Sequence, residues 1–340
     1  MRIVYVFLIE VDSTTMMLPM SHTRWELSMT SIILVFSFMI CAAFAAGQSG
    51  DARILPDVPD GAQAVSVTGT PLHSGEPGES ALENHKKAKA DYDTDPMDAD
   101  NIIWYGRRTA YLGDYREAIR IFSEGIEKHV GDARMYRHRG HRYISIREFD
   151  RAIADLKKAA TLIEGTENET EPDGLPNAQG IPVSSLHGNI WYHLGLAYYL
   201  NHDWENAFRA YQNGFNAGRN DDNRVSTTHW LYSIARRMGD EARANKALEA
   251  ISAEMNIIEN FSYHRLCRFY QGEISLEEML ADGGDNPENA AVAYGVANWL
   301  LVEGETDKAR EMMAELASRT SWSAFGQIAA EVDLKAIESK

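Results

Sequence analysis

Cysteine is almost missing from this chain, with two in 340 residues. Cys41 falls in a stretch that reads as a secretory leader, so a mature chain keeps only Cys267 and can form no intramolecular disulfide. Stability in an oxidising compartment must then come from packing, and Cys267 itself reads as a small apolar residue on a helix. Proline is scarce too, at ten. Residues 98–320 lack the period-two alternation of a half-buried strand, which excludes a β-rich body. Basic residues are outnumbered, 33 Lys and Arg against 50 Asp and Glu, for a formal charge of −17. Phosphate neutralisation needs clustered cations, so general nucleic-acid binding is excluded, and the acidity reads as a solubility feature. No Gly-rich phosphate loop follows a strand, and no Ser or Cys nucleophile motif occurs. Neither enzyme activity nor a cofactor is expected.

What the chain does contain is a repeat. Gly113-Asp114-Tyr115-Arg116-Glu117-Ala118-Ile119 is echoed by Arg147-Glu148-Phe149-Asp150-Arg151-Ala152-Ile153, with Ala152 standing in the second copy where Ala118 stands in the first. Asp95-Pro96 and His129-Val130 keep the same spacing. A further copy runs from Trp191 to Tyr199 and continues through Asp203-Trp204-Glu205-Asn206-Ala207-Phe208 to Tyr211. A fixed period of this size is the signature of stacked helical hairpins. Gly106, Gly140 and Gly195 fall where two helices must approach closely, with Ala118, Ala152 and Ala207 facing them from the second helix. Each hairpin leaves an apolar face that only its neighbour can cover.

These residues resemble the tetratricopeptide repeat. The matching positions are Trp191, Leu194, Gly195, Tyr198, Ala207 and Tyr211 in one unit, Tyr136, Gly140, Tyr143, Ala152, Leu156 and Ala159 in another, and Tyr105, Gly106, Ala118, Phe122 and Gly125 in a third. Weaker copies follow around Trp230 to Ile251, Tyr263 to Leu280 and Ala293 to Leu316. The resemblance implies an all-α fold: a right-handed α-solenoid of about six helix-turn-helix repeats over residues 81–340, ending in a capping helix. That closing helix spans Trp322 to Ile337, with Glu331, Asp333, Lys335 and Glu338 on its polar side. The resemblance also implies a non-catalytic scaffold that binds a protein or peptide.

Residues 1–45 carry an address. Arg24 precedes the apolar run Ser31–Ile40, and Ala42, Ala43, Ala45 and Ala46 follow. That order fits a cleaved signal peptide better than a membrane span and predicts a periplasmic or secreted protein. Membrane contact is expected only if the leader stays uncleaved as an anchor. A start at Met20 or Met29 gives an ordinary signal, and Ile40 before Cys41 argues against a lipoprotein site. Residues 46–80 read as a flexible linker with a short docked stretch at Ala64 to Leu72.

The period breaks once. The step from Ala152 to Ala207 is longer than the step from Ala118 to Ala152, and the excess is a loop inserted over 165–185 that contains Glu171, Asp173 and Asn177. Insertions in solenoids map to one face, often the binding face. Helical spacing places Arg107, Arg108, Arg137, His141, Tyr192, Tyr199, His229 and Arg236 on a concave stripe. A basic, aromatic groove of this kind suits a carboxylate or an acidic peptide. Its rival is a metal-assisted hydrolase built on the inner-face imidazoles of His138, His141 and His193, although no His-Glu-x-x-His spacing supports it. A purely structural spacer is the third reading.

Overall fold

A computed structural model of the chain describes residues 55–281 and 287–339. The expected leader over residues 1–45, Cys41 included, lies outside the described residues. Two short strands come first, β1 (Ala64–Val65) and β2 (Pro71–Leu72), followed by α1 (Glu79–Thr94). Six helical hairpins succeed them among the described residues: α2 (Ala99–Tyr111) with α3 (Tyr115–Lys128), α4 (Ala133–Ser145) with α5 (Phe149–Leu162), α6 (Leu186–Leu200) with α7 (Trp204–Ala217), α8 (Asp221–Arg237) with α9 (Glu241–Leu248), α10 (Phe261–Tyr270) with α11 (Leu276–Leu280), and α12 (Pro287–Val302) with α13 (Thr306–Ala317). Helix α14 (Phe325–Glu338) closes the chain. Each hairpin packs on itself and on the next, which makes the described chain an all-α repeat solenoid.

Small residues set the helix spacing. A Cβ on Gly106 would lie 2.6 Å from the Phe122 ring, one on Gly140 2.7 Å from Leu156, and one on Gly195 2.6 Å from the Tyr211 ring. Ala118, Ala152 and Ala207 are wholly buried beside them. Close helix approach at Gly and Ala, filled by the large residue sixteen positions later, is therefore the repeated unit of the core. Asp114, Asp203 and Asp240 start the second helices by accepting from the backbone N–H of Glu117, Asn206 and Arg243. Part of the chain's acidity is thus capping chemistry.

The turn between the two helices of a hairpin needs one residue in the left-handed region. Glycine fills it at Gly113, Gly239, Gly272 and Gly304, whereas Arg147 (φ 67°) and His202 (φ 55°) fill it in the second and third hairpins. A side chain there costs about 1 kcal/mol or more, and both exceptions use that side chain on α14. Arg147 Nη2 pairs with Glu331 Oε1 at 2.5 Å and also donates to the Trp322 carbonyl at 2.8 Å. His202 Nε2 lies 3.0 Å from Asp333 Oδ1. The closing helix forms where expected, yet Glu331 and Asp333 are 0% and 1% exposed. They do not face water as a cap's polar side would, because α14 lies against the turns and inner helices.

The segment expected as a tether is docked from Ala62 to Ser74. Ala64 pairs opposite Leu72, and both are buried. Ser74 Oγ donates to the Gly113 carbonyl at 2.7 Å, and the Val67 N–H donates to Glu331 Oε2 at 3.2 Å. Lys335 Nζ donates to the Val67 carbonyl at 3.0 Å, and Trp322 Nε1 to the His73 carbonyl at 2.8 Å. The N-terminal strands therefore touch the C-terminal helix directly.

Candidate functional site

The first helices α2 and α4 carry Arg107, Arg108, Arg137 and Arg142 on one side. The inserted loop folds over Arg107, Arg108 and Arg137. A bridge between Thr170 and Ser185 pinches its base, with the Glu171 N–H donating to the Ser184 carbonyl at 3.0 Å. From there the chain runs as a strap across the arginines. Glu171 Oε1 lies 3.2 Å from Arg137 Nη2, and its Oε2 accepts from Asn189 Nδ2 at 2.9 Å. Arg107 Nη2 donates to the Pro172 carbonyl at 2.9 Å and Arg108 Nη1 to the Gly174 carbonyl at 2.8 Å. A Cβ on Gly174 would fall 1.9 Å from Tyr111 Oη, so only glycine lets the strap lie this close. Further on, Asn177 Nδ2 donates to Glu259 Oε2 at 3.0 Å.

Electrostatics beneath the strap are those of cations in poor solvent. Burial, with Arg107 adding repulsion, pulls Arg137 below its usual value against the opposing pull of Glu171. His138 and His141 are pushed well below the usual imidazole range, by burial first and then by surrounding arginines. A guanidinium can only donate. The contact of Arg137 Nη1 with His138 Nδ1 at 2.8 Å therefore makes Nδ1 the acceptor and leaves the imidazole proton on Nε2, 3.6 Å from Glu171. His193 is neutral for the same cause of burial, and its Nδ1 donates to the Asn189 carbonyl at 2.6 Å. Burial raises Asp173, with Arg107 opposing.

Beyond α6 the inner face changes character. Trp230 Nε1 donates to the Tyr192 hydroxyl at 2.9 Å, which lies 2.8 Å from the Tyr263 hydroxyl. Tyr294 donates to Asp333 Oδ2 at 2.8 Å, so at 2.5 Å Tyr199 is the donor to Tyr294. Asp333 is buried, which pushes its pKa up, yet Arg237, His202 and Tyr294 together hold it below the usual carboxylate range. Phe325, at the start of α14, caps this network against His141 (ring centroids 5.2 Å) and His193 (5.6 Å).

The residues read from sequence as groove-lining thus fall into three groups. Arg107, Arg108 and Arg137 do lie together, beneath the inserted strap. His141 and Tyr192 meet Phe325 of α14, and partly exposed Arg236 pairs with Glu303 at 2.6 Å and donates to Tyr232 Oη at 2.9 Å. Tyr199 and His229, each 1% exposed, lie inside the stack and present nothing to a partner, and burial lowers His229 to about 3. The correction has a structural cause: α10 and α12 pack on the inner side of α8, so its stripe faces protein. Of the loop residues, Glu171 and Asn177 hold the strap and Asp173 faces Arg107. For the metal reading, no group of three or more His, Cys, Asp or Glu is arranged to hold an ion among the described residues. Arg142, Tyr111 and Asn189 also belong to the site, and the stripe rule passes over them. Arg142 lies five residues after Arg137, and this near repeat of charge is the signal the sequence offers.

No family model matches the chain, and no curated protein matches it. Solved structures similar to it include a MamA RS-1 ArsTM double mutant (17% identity over 58% of this chain and 89% of that one, TM-score 0.39). Another is YrrB, described as a tetratricopeptide protein with an unusual peptide-binding site (14% identity, 75% and 99% covered, TM-score 0.39). A third is a tetratricopeptide repeat protein from Parabacteroides merdae ATCC 43184 (13% identity, 73% and 92% covered, TM-score 0.45). At these values the likenesses carry no functional detail, and the repeat type rests on the chain's own hairpins. By the regular spacing of those hairpins and their Gly-to-large-residue contacts, the described chain is an all-α solenoid of stacked helical hairpins.

Proposed function

We propose that this protein is a non-catalytic binding module whose arginine-lined inner face takes an extended acidic segment of a protein partner. The observation that supports it is what the face already holds. Arg107 and Arg108 grip two main-chain carbonyls, while Arg137 and Asn189 grip a carboxylate, all on one extended stretch, Glu171 to Gly174. Main-chain carbonyls give sequence-independent hold, and the carboxylate gives charge selectivity. In this reading the strap is a resident stand-in, and a partner segment of like chemistry competes with it.

Fluorescence anisotropy with a labelled acidic peptide tests the reading. Binding should weaken with salt. It should fall about tenfold in Arg107→Ala, the equivalent of one charge-assisted hydrogen bond, and should tighten when residues 171–174 are replaced by Gly and Ser. Equal binding of acidic and basic peptides, or indifference to Arg107→Ala, would remove the arginine face from the function.

A further inference from the structure

Between α2 and α4 lies a partly open chamber of about 100 Å³, in which the polar side chains of Arg107, Tyr111, Arg137, His138, His141 and Arg142 line the space together with Ala110 and Phe122. Its volume is several times the ~10–15 Å³ that admits one water. Three observations set it apart from ordinary packing. Arg107 and Arg137 are each 8% exposed, yet the Nε of each is buried without a hydrogen-bond partner. Such orphaned donors are rare in cores and costly, more so on charged groups. Arg142 lies over the Tyr115 ring at 5.4 Å, and its guanidinium makes no hydrogen bond or ion pair with the described residues. Burial pushes Arg142 down to about 10, so it remains a cation at neutral pH without a counter-ion. Finally, the charges do not balance: the three guanidiniums of the lining have only two carboxylates beside them, Glu171 near Arg137 and Asp173 near Arg107.

We infer that this chamber is a binding site for one small oxyanion, of the inorganic phosphate type, held by the guanidiniums of Arg107, Arg137 and Arg142. The excess of positive charge sets the sign of the ligand, and the chamber's size restricts it to a small ion. Neutral His138 and His141 add hydrogen-bonding capacity without adding charge. The site does not depend on a protein partner, since its ligand is a free ion.

Thermal melting and calorimetry of the full chain with inorganic phosphate, at fixed ionic strength, test the assignment. A saturable rise in Tm is expected, because a ligand that binds only the folded state stabilises it by mass action. Acetate at the same ionic strength should bind about tenfold more weakly or worse, because its two oxygens cannot engage three guanidiniums. In Arg142→Gln the phosphate affinity should drop about tenfold or more, the loss of one charge-assisted contact, while Arg243→Gln on the outer face should leave it unchanged. If Arg142→Gln does not fold, the ³¹P line width of phosphate with the wild-type protein decides, since bound ion exchanges with free and broadens the line. Absence of both a saturable Tm rise and broadening, or a response to phosphate that Arg142→Gln retains in full, would overturn the site.

Discussion

Between α2 and α4 the inner face is made of guanidiniums; between α6 and α12 it is made of hydroxyl-bearing rings around one carboxylate. The first is covered by a loop that contributes a single buried carboxylate and two carbonyls. The second is covered by a whole helix whose Asp333 receives Arg237, His202 and Tyr294. The atoms left unmatched in the aromatic half are neutral, such as the Tyr211 hydroxyl, whereas the basic half strands charged groups: the Nε atoms of Arg107 and Arg137 and one carboxylate oxygen of Asp173. A repeat scaffold thus supports a surface whose charges are settled beside one left open to another ligand, and what separates them is the element folded on top.

The strongest test of that contrast is Asp333→Ala. It strands Arg237 in the interior, and removal of one partner of a buried pair costs about 3–5 kcal/mol, to be read as a lowered urea midpoint. Asp333 also has a sign in pH. Its folded value is depressed, so its stabilisation is complete above the ordinary carboxylate range and disappears as pH falls through that lowered value. Next in size, Gly140→Ala should destabilise by about 1–3 kcal/mol, because overpacking forces the hairpin to spread. The added Cβ would meet Leu156 at 2.7 Å. Gly195→Ala should behave alike in the aromatic half.

Mild acid should separate the halves. His138, His141 and His193 are held neutral, so the stability they carry is whole above their ordinary value of 6.5 and declines as pH falls toward their depressed folded values. The aromatic half has one such group, His229, held down to about 3. Limited proteolysis at pH 5 should therefore cut the strap over Glu171–Gly174 before any bond in α12 or α14. At the small end, Glu171→Gln should cost about 1–3 kcal/mol and speed cleavage of the strap without changing the melting of α14. His202→Gly should be neutral within about 0.5 kcal/mol, since relief of its positive φ offsets a partly exposed contact. Arg147→Gly, which leaves buried Glu331 unpaired, should not be neutral.

Much of the scaffold is readable from the chain. Gly106, Gly140 and Gly195 with Ala118, Ala152 and Ala207 specify hairpin packing locally, and local spacing is what a sequence pattern reports. The docking of the strap is not readable, because Arg107 reaches Pro172 across 65 positions through a carbonyl that any residue could supply. His229 shows the other limit. A stripe rule assumes an open concave side, but twelve of the seventeen residues of α8 are buried, so the rule selects core residues there. Arg147 in the place of Gly113 is visible as an anomaly, although its partner Glu331, 184 positions away, is not.

The contact between the N-terminal strands and α14 bears on how the molecule comes apart. Repeat proteins whose units meet only their neighbours unravel from exposed termini, since the outermost unit loses only half of its contacts. Here Trp322, Lys335 and Glu331 tie the last helix to His73 and Val67, and Arg147 and His202 tie it to the middle hairpins. Neither end of the described chain is then a free place to begin fraying. Opening the second or third hairpin must also break bonds more than 100 positions distant in sequence, so these hairpins and α14 should unfold as one cooperative event.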